Sequence, residues 1–165
     1  MPVVSDTSPL SNLAAIGRLA LVQEQFGEVL VPAEVARELE RFSHPGGQAA
    51  IRAAWHDGWL RICPLPDNAP APGGISHLDA GERAALRLAL SLSADRVLMD
   101  ERKGRMAAEN LGLQAIGVVG ILITAKEHGR IDSMARELRR LWEEAHFFLA
   151  PGFVAHVLAG VGEKP

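Results

Sequence analysis

Short runs of apolar residues alternate with longer amphipathic stretches along nearly the whole chain. The short runs are rich in Val, Leu and Ile, which predicts β-strands. The longer stretches repeat apolar residues every three or four positions, which predicts helices. Such alternation indicates an α/β fold with a parallel sheet that is covered by helices on both faces. The predicted strands are 2–6, 28–31, 60–65, 96–100 and 114–118, and the predicted helices are 9–26 in two pieces around Gly17, 33–42, 47–57, 79–93, 102–111, 120–128, 131–145 and 153–158.

The composition is that of an ordinary folded protein. The chain has 165 residues, of which 48% are hydrophobic and 22% charged, and this length suits one domain over residues 1–165. The Pro- and Gly-rich stretch 64–75 is too short to separate two domains and predicts a surface loop. The longest apolar run, 115–125, is well short of the roughly 20 residues that span a bilayer.

A cytoplasmic location is expected. The first residues contain no basic segment and reach Asp6 too early for a secretory signal. Cys63 is the single cysteine, so an internal disulfide is impossible and a reducing compartment is the default.

The charge balance bears on the class of partner. Seventeen basic residues against twenty acidic ones give a net charge of −3, whereas nucleic-acid binders are usually basic. Acidic residues gathered around a metal ion would lower the net charge, and basic residues can still form a local patch. The balance therefore counts against nucleic-acid binding without ruling it out.

Two acidic residues follow predicted strands. Asp6 ends the first strand, and because Ser8 with Pro9 predicts the next helix start, Asp6 is free for another role. Asp100 ends the fourth strand, where it can either cap the following helix or bind a ligand. Ligands of open α/β sheets bind at the carboxyl ends of strands, so a ligand role is favoured if these two strands are neighbours. Carboxylates there suit Mg²⁺ or Mn²⁺.

Two further acids lie on predicted helices. Glu82 with Asp79 fits a capping box, and the local pattern favours that structural role. Glu38 lies beside an apolar helical stripe, where a solvated face is the usual explanation. Glu34 shares the face of Glu38 and remains an alternative to it, as Glu101 does to Asp100.

Three cations follow Asp100, and other chemistries find no support. Arg102, Lys103 and Arg105 lie where an anionic backbone would approach a metal site, although a solvated helix face is the competing interpretation. The six histidines lack the spacing of a zinc site. No dinucleotide-binding or phosphate-loop glycine pattern and no Gly-x-Ser-x-Gly occur.

Four segments together resemble the PIN-domain nucleases, specifically the uncharacterised predicted nucleic-acid-binding proteins related to VapC-type ribonuclease toxins. The segments are Ser5-Asp6-Thr7-Ser8-Pro9-Leu10-Ser11-Asn12-Leu13, Val31-Pro32 through Glu38-Leu39, Leu78-Asp79-Ala80-Gly81-Glu82-Arg83-Ala84-Ala85, and Leu98-Met99-Asp100-Glu101-Arg102-Lys103-Gly104-Arg105. The resemblance implies a three-layer α/β/α fold with about five parallel strands, in which strands one and four are neighbours. It also implies an acidic pocket that binds Mg²⁺ or Mn²⁺ and cleaves single-stranded or structured RNA.

The resemblance also implies roles for individual residues. Asp6, Glu38, Glu82 and Asp100 would be catalytic, and Asp6, Glu82 and Asp100 would bind the metal. Thr7 or Ser8 would help to orient Asp6, and Thr7, Ser8, Arg102, Lys103 and Arg105 are expected to bind substrate. Two positions depart from better-studied PIN toxins, which usually have Asp in place of Glu82 and often Thr or Ser where this chain has Leu98-Met99.

Partners and rival functions complete the expectations. A homodimer is expected, and the resemblance implies a small antitoxin-like inhibitor that plugs the pocket. The apolar tail 147–161 predicts either a last helix docked on the domain or a surface for such a partner. An aspartyl phosphatase is disfavoured because Ser8 stands where its general acid would be. The main rival is a PIN-like module that binds RNA or protein without cutting.

Overall fold

Five short strands form the centre of the molecule. The computed structural model describes residues 1–164; Pro165, the last residue of the expected domain, lies outside them. The strands are β1 (Val3–Ser5), β2 (Val29–Val31), β3 (Leu60–Ile62), β4 (Arg96–Leu98) and β5 (Gln114–Ile116). They form one sheet in the order β3-β2-β1-β4-β5, and every neighbouring pair is parallel. The predicted parallel sheet is confirmed, and β1 and β4 are neighbours.

Helices connect the strands and follow the last one. Their bounds differ from the predicted ones by no more than three residues at any end. Across residues 1–164, every helix falls short of the length and apolarity required to cross a lipid bilayer. The helices are α1 (Thr7–Ala15), α2 (Ala20–Phe26), α3 (Ala33–Glu40), α4 (Pro45–Asp57), α5 (Ala80–Ser91), α6 (Arg102–Asn110), α7 (Val118–Glu127), α8 (Met134–Ala145) and α9 (Pro151–Gly160).

Alternate strand residues enter two separate hydrophobic cores, because successive side chains of a strand point to opposite faces. Val3 and Leu98 belong to the core that is shared with α1, α3, α4, α7 and α8. Val4 and Val97 belong to the other core, which α5 and α6 cover. Helices therefore cover both faces of the sheet, which confirms the three-layer α/β/α architecture.

The start of α1 differs from the sequence-based expectation. Ser8 is predicted to cap this helix, but α1 begins at Thr7, and Asp6 occupies the cap position. Pro9 is tolerated inside the first turn because amides there have no partner within the helix. The Asp6 side chain makes no capping hydrogen bond, so its carboxylate is free for other contacts.

The carboxyl-terminal segment forms α9, which packs against α8. Val157 and Leu158 are buried there, as expected for a last helix docked on the domain. Phe148 and Phe153, however, are exposed. The tail therefore combines a docked helix with an apolar surface.

A fully buried carboxylate joins α8 to the turn after α1. Glu137 Oε1 lies 2.7 Å from Arg18 Nη2, and its Oε2 lies 3.5 Å from Arg140 Nη1. Arg136 adds a third guanidinium at 3.9 Å. A buried charge of this kind is tolerated only while its partners compensate it.

Replacing this carboxylate tests how far the fold depends on it. Glu137→Ala should lower the free energy of unfolding by about 3 kcal/mol, because Arg18 and Arg140 lose their buried partner. Glu144→Ala removes an exposed partner of Arg140 and should cost less than about 1 kcal/mol. Urea denaturation measures both, and equal losses would contradict the prediction.

Candidate active site

The candidate site lies at the carboxyl edge of β1 and β4. Ser5 pairs with Leu98, and the Asp6 amide donates to the Leu98 carbonyl at 2.9 Å. Asp100 follows β4 by two residues. The two acids thus leave neighbouring parallel strands at the same edge, which is where open α/β sheets bind ligands.

A cleft of about 480 Å³ at this edge collects most of the residues that the sequence singles out. Asp6, Glu38 and Glu82 bring carboxylates into it from the end of β1, from α3 and from α5. Arg102 and Lys103, both exposed, line it from the start of α6. The remaining lining residues are Thr7, Ser8, His77, Leu78, Asp79 and Glu101.

Glu38 is the acid of α3 that reaches the cleft. The Thr7 hydroxyl donates a hydrogen bond to Glu38 Oε2, whereas the resemblance implies that Thr7 or Ser8 orients Asp6. Glu34, one turn earlier, lies 3.8 Å from Arg37 and lines a separate depression. Of the two acids that the sequence leaves open on this helix, Glu38 lines the cleft and Glu34 lines the other depression.

Glu82 is only 6% exposed, although it lies in the first turn of α5. Its amide donates to Asp79 Oδ1 at 2.8 Å, which is the first half of the predicted capping box. Among the hydrogen bonds of residues 1–164, the return bond, in which the Asp79 amide would donate to the Glu82 carboxylate, is absent. The Glu82 carboxylate therefore belongs to the cleft and not to a complete box.

Two glycines allow helix backbones to approach these carboxylates closely. A Cβ atom on Gly81 would lie 2.6 Å from Glu38 Oε1 and 3.3 Å from Asp6 Oδ1. A Cβ atom on Gly104 would lie 2.7 Å from Glu82 Oε2 and still closer to Met99 Sδ. A side chain at Gly81 would press on an acid, and one at Gly104 would press on an acid and on Met99, so both glycines shape the cleft.

Asp100 does not line this cleft, contrary to the expectation that all four acids share one pocket. Its Oδ1 accepts from the Val118 amide at 2.7 Å, and its Oδ2 accepts from Asn12 Nδ2 at 3.2 Å. The first amides of α7 have no intrahelical partner and therefore attract the carboxylate. Asp100 instead lines an adjacent cavity of about 740 Å³, together with Arg102 and Arg105.

Arg105 is also placed differently from its two neighbours. Its Nη1 donates to the Met99 carbonyl at 3.3 Å, and its side chain lines the cavity of Asp100. The expected row of three cations is therefore divided, with Lys103 on the acidic cleft, Arg105 on the second cavity and Arg102 on both.

Burial in this region makes the acids hard to ionise. Burial, together with the charges of Asp79, Glu38 and Asp100, raises the pKa of Asp6 to about 7. Burial and the neighbouring Asp79 raise the pKa of Glu82 to about 8. Burial raises the pKa of Asp100 to about 6 against the opposing effect of its hydrogen bonds. Arg105 offsets part of this effect at Asp100, whereas the main influences on Asp6 and Glu82 are burial and the neighbouring acids.

The donor set fits a hard divalent cation. Asp6, Glu38 and Glu82 offer only oxygen ligands, as Mg²⁺ and Mn²⁺ prefer, and a cation would supply the charge that the raised pKa values show to be missing. Within residues 1–164, however, no three His, Cys, Asp or Glu side chains are already grouped so that they could hold a metal ion. Binding would require the acids to move together.

Comparison with protein families identifies the fold. The model of DUF3368, described as a PIN domain, matches residues 2–163. The chain belongs to the PIN-domain family. PIN domains are generally nucleases that bind nucleic acid and typically use divalent metals, which supports a hydrolase at this coarse level. No curated protein matched the sequence.

Several residues of this PIN-domain site are not evident from sequence reasoning. Asp79, predicted only as a helix cap, also lines the cleft, as does His77. Asn12 donates a hydrogen bond to Asp100. Asn12 lies four residues after Ser8, so the two share one face of α1, and this spacing is the signal in the sequence that could have indicated Asn12. Glu101, left open in the sequence, lies at the acidic cleft.

Gly81→Ala tests whether the close approach of α5 matters to the site. Alanine is the better helix former, but its Cβ would displace Glu38 and Asp6. The affinity for Mn²⁺, measured by calorimetry, should fall by about tenfold while the fold is retained. Gly120→Ala, whose Cβ would meet its nearest neighbour at 3.7 Å, is the matched control; an equal loss there would contradict the explanation.

The stability of the metal-free protein should decrease as the pH rises from about 4 to about 8. Asp6 and Glu82 have pKa values near 7 and 8 in the folded protein, against about 4 in the unfolded chain. The folded state therefore binds more protons between these values, and the stabilisation is lost as the pH rises through the folded pKa values.

Asp6→Asn should reduce this loss by about 2 kcal/mol, whereas Asp95→Asn, an exposed substitution before β4, should leave it unchanged. Thermal unfolding across this pH range measures the effect, and added Mn²⁺ should restore stability at high pH. A flat pH profile in the wild type would contradict the prediction.

Proposed function

We propose that this PIN-domain protein is a metal-dependent ribonuclease that hydrolyses phosphodiester bonds of RNA, and that it is the toxin-like member of a toxin–antitoxin pair. The observation that carries the proposal is the convergence of Asp6, Glu38 and Glu82 from distant segments in one cleft. Arg102 and Lys103 at the same cleft offer binding to the phosphates of an anionic substrate. Carboxylates alone would repel such a substrate, so the arrangement makes chemical sense with a cation.

Each residue of the cleft has a separate role in the proposed reaction. Asp6 and Glu82, joined by Asp100, would hold the metal, and Glu38 would complete the pocket. A bound Mg²⁺ or Mn²⁺ would stabilise charge on the phosphoryl oxygens and lower the pKa of the attacking water. Thr7 keeps Glu38 oriented through its hydroxyl, and Ser8 offers a hydroxyl to the substrate at the first turn of α1.

A small inhibitor and a homodimer belong to the same proposal. A cleft lined by carboxylates suits an inserted arginine, because guanidinium pairs with carboxylates bidentately. The exposed side chain of Trp142 on α8 offers apolar surface for association. These features support both an inhibitor and a second copy of the chain as partners.

One observation favours a second candidate, a PIN-like module that binds RNA or protein without cutting. Both oxygens of Asp100 are engaged in hydrogen bonds to Val118 and Asn12. If those bonds persist when a metal is offered, the cation would lose one of its expected ligands. Binding without hydrolysis would then be the result.

Cleavage assays with purified protein test the proposal. Single-stranded RNA should be cut in the presence of Mn²⁺ and left intact in EDTA. Asp6→Asn should reduce the rate at least a hundredfold, because the most deeply placed carboxylate of the cleft loses its charge, while Asp95→Asn at the opposite end of β4 should cut normally. RNA binding without metal-dependent cutting would contradict the enzyme and favour the module.

A further inference from the structure

The cavity beside Asp100 differs in chemistry from the acidic cleft. Its volume is about 740 Å³, a size typical of sites for small molecules. Arg102 and Arg105 of α6 line it, and so do Phe148 and Phe153. Two guanidinium groups and two phenylalanine rings therefore line the same cavity.

Both rings are exposed, and the Phe148 ring is supported by a neighbour. Phe148 is 68% exposed and Phe153 45% exposed, although leaving so much apolar surface in water is unfavourable. Phe148 packs against Trp142 with ring centroids 5.4 Å apart and planes tilted by 55°. Phe153 lies in the first turn of α9, so its backbone is fixed. Exposed aromatic rings offer a flat apolar face on which a ligand can stack.

The cavity borders the acidic cleft. Arg102 lines both, so a ligand that extends from the cleft across this side chain reaches the cavity that Arg105 and the rings line. Two acids, Asp100 and Glu109, also line the cavity. Asp100 already accepts hydrogen bonds from Val118 and Asn12. Arg102 and Arg105 balance the two carboxylates in number, so an anionic ligand can meet the guanidinium groups without facing a net negative surface.

We propose that this cavity binds an unpaired base of single-stranded RNA next to the phosphodiester held at the acidic cleft. The proposal rests on the ribonuclease function above and specifies the form of its substrate. The base stacks on Phe148 or Phe153, and Arg102 and Arg105 bind its flanking phosphates. A base inside a duplex is already paired and stacked, so the cavity selects single strands.

Binding of a short RNA that carries one 2-aminopurine tests this, because stacking on an aromatic ring changes its fluorescence. Full-length protein in an Asp6→Asn background avoids cleavage. At least one of the variants Phe148→Ala and Phe153→Ala should abolish the fluorescence change and weaken single-strand binding by about tenfold. Phe153→Trp keeps a ring and should retain both. Ile62→Ala, an exposed apolar substitution on β3, should behave like the parent.

A hairpin stem of the same sequence should bind the parent and the alanine variants with equal affinity, because its paired bases do not enter the cavity. The proposal is overturned if neither alanine variant alters binding or fluorescence, if single strand and stem lose affinity equally, or if no RNA binds. It is also overturned if the parent is a dimer that Phe153→Ala dissociates with RNA binding unchanged, since the rings would then be an interface between copies.

The two hypotheses fail separately. Cleavage that depends on Asp6, with no effect of the phenylalanines on base binding, leaves the ribonuclease standing and removes this subsite. Base binding that depends on Phe148 and Phe153, in a protein that never cuts RNA, leaves the subsite standing and removes the enzyme.

Discussion

The parallel pairing of β1 with β4 is the constraint on which the site depends. Because Ser5 pairs with Leu98 and the Asp6 amide donates to the Leu98 carbonyl, the chain leaves both strands at one edge. Two segments that lie more than ninety residues apart in sequence thereby deliver acids to one region. Burial of both sheet faces holds this register, since a slip by one residue would exchange the two cores.

Close packing around this edge explains the unusual electrostatics. Gly81 and Gly104 let α5 and α6 come within van der Waals distance of the carboxylates, and water is largely excluded from Asp6 and Glu82. Excluding water disfavours the charged form of a carboxylate, so the fold holds acids whose ionisation works against its own stability. Such a conflict between stability and charge is typical of functional sites.

The first residues of α6 organise two spaces with different chemistry. On one side are the carboxylates of the cleft; on the other are Asp100, Arg105 and the phenylalanine rings. Arg102 is common to both. Asp100 also connects the site to the scaffold, because its carboxylate accepts hydrogen bonds from the first amide of α7 and from the side chain of Asn12. Changes at Asp100 would therefore affect both packing and chemistry.

The sequence by itself determined the alternation of strands and helices, the parallel sheet and the position of Asp6 at a strand end. The spacing of apolar residues shows which face of a strand or helix is buried, and this spacing can be recognised within each element alone. Only the tertiary structure decided that Glu38 and not Glu34 reaches the cleft, that Asp79 joins it, and that Asp100 turns to Val118. These outcomes depend on which side chains from distant segments come into contact, and a local sequence pattern does not specify those contacts.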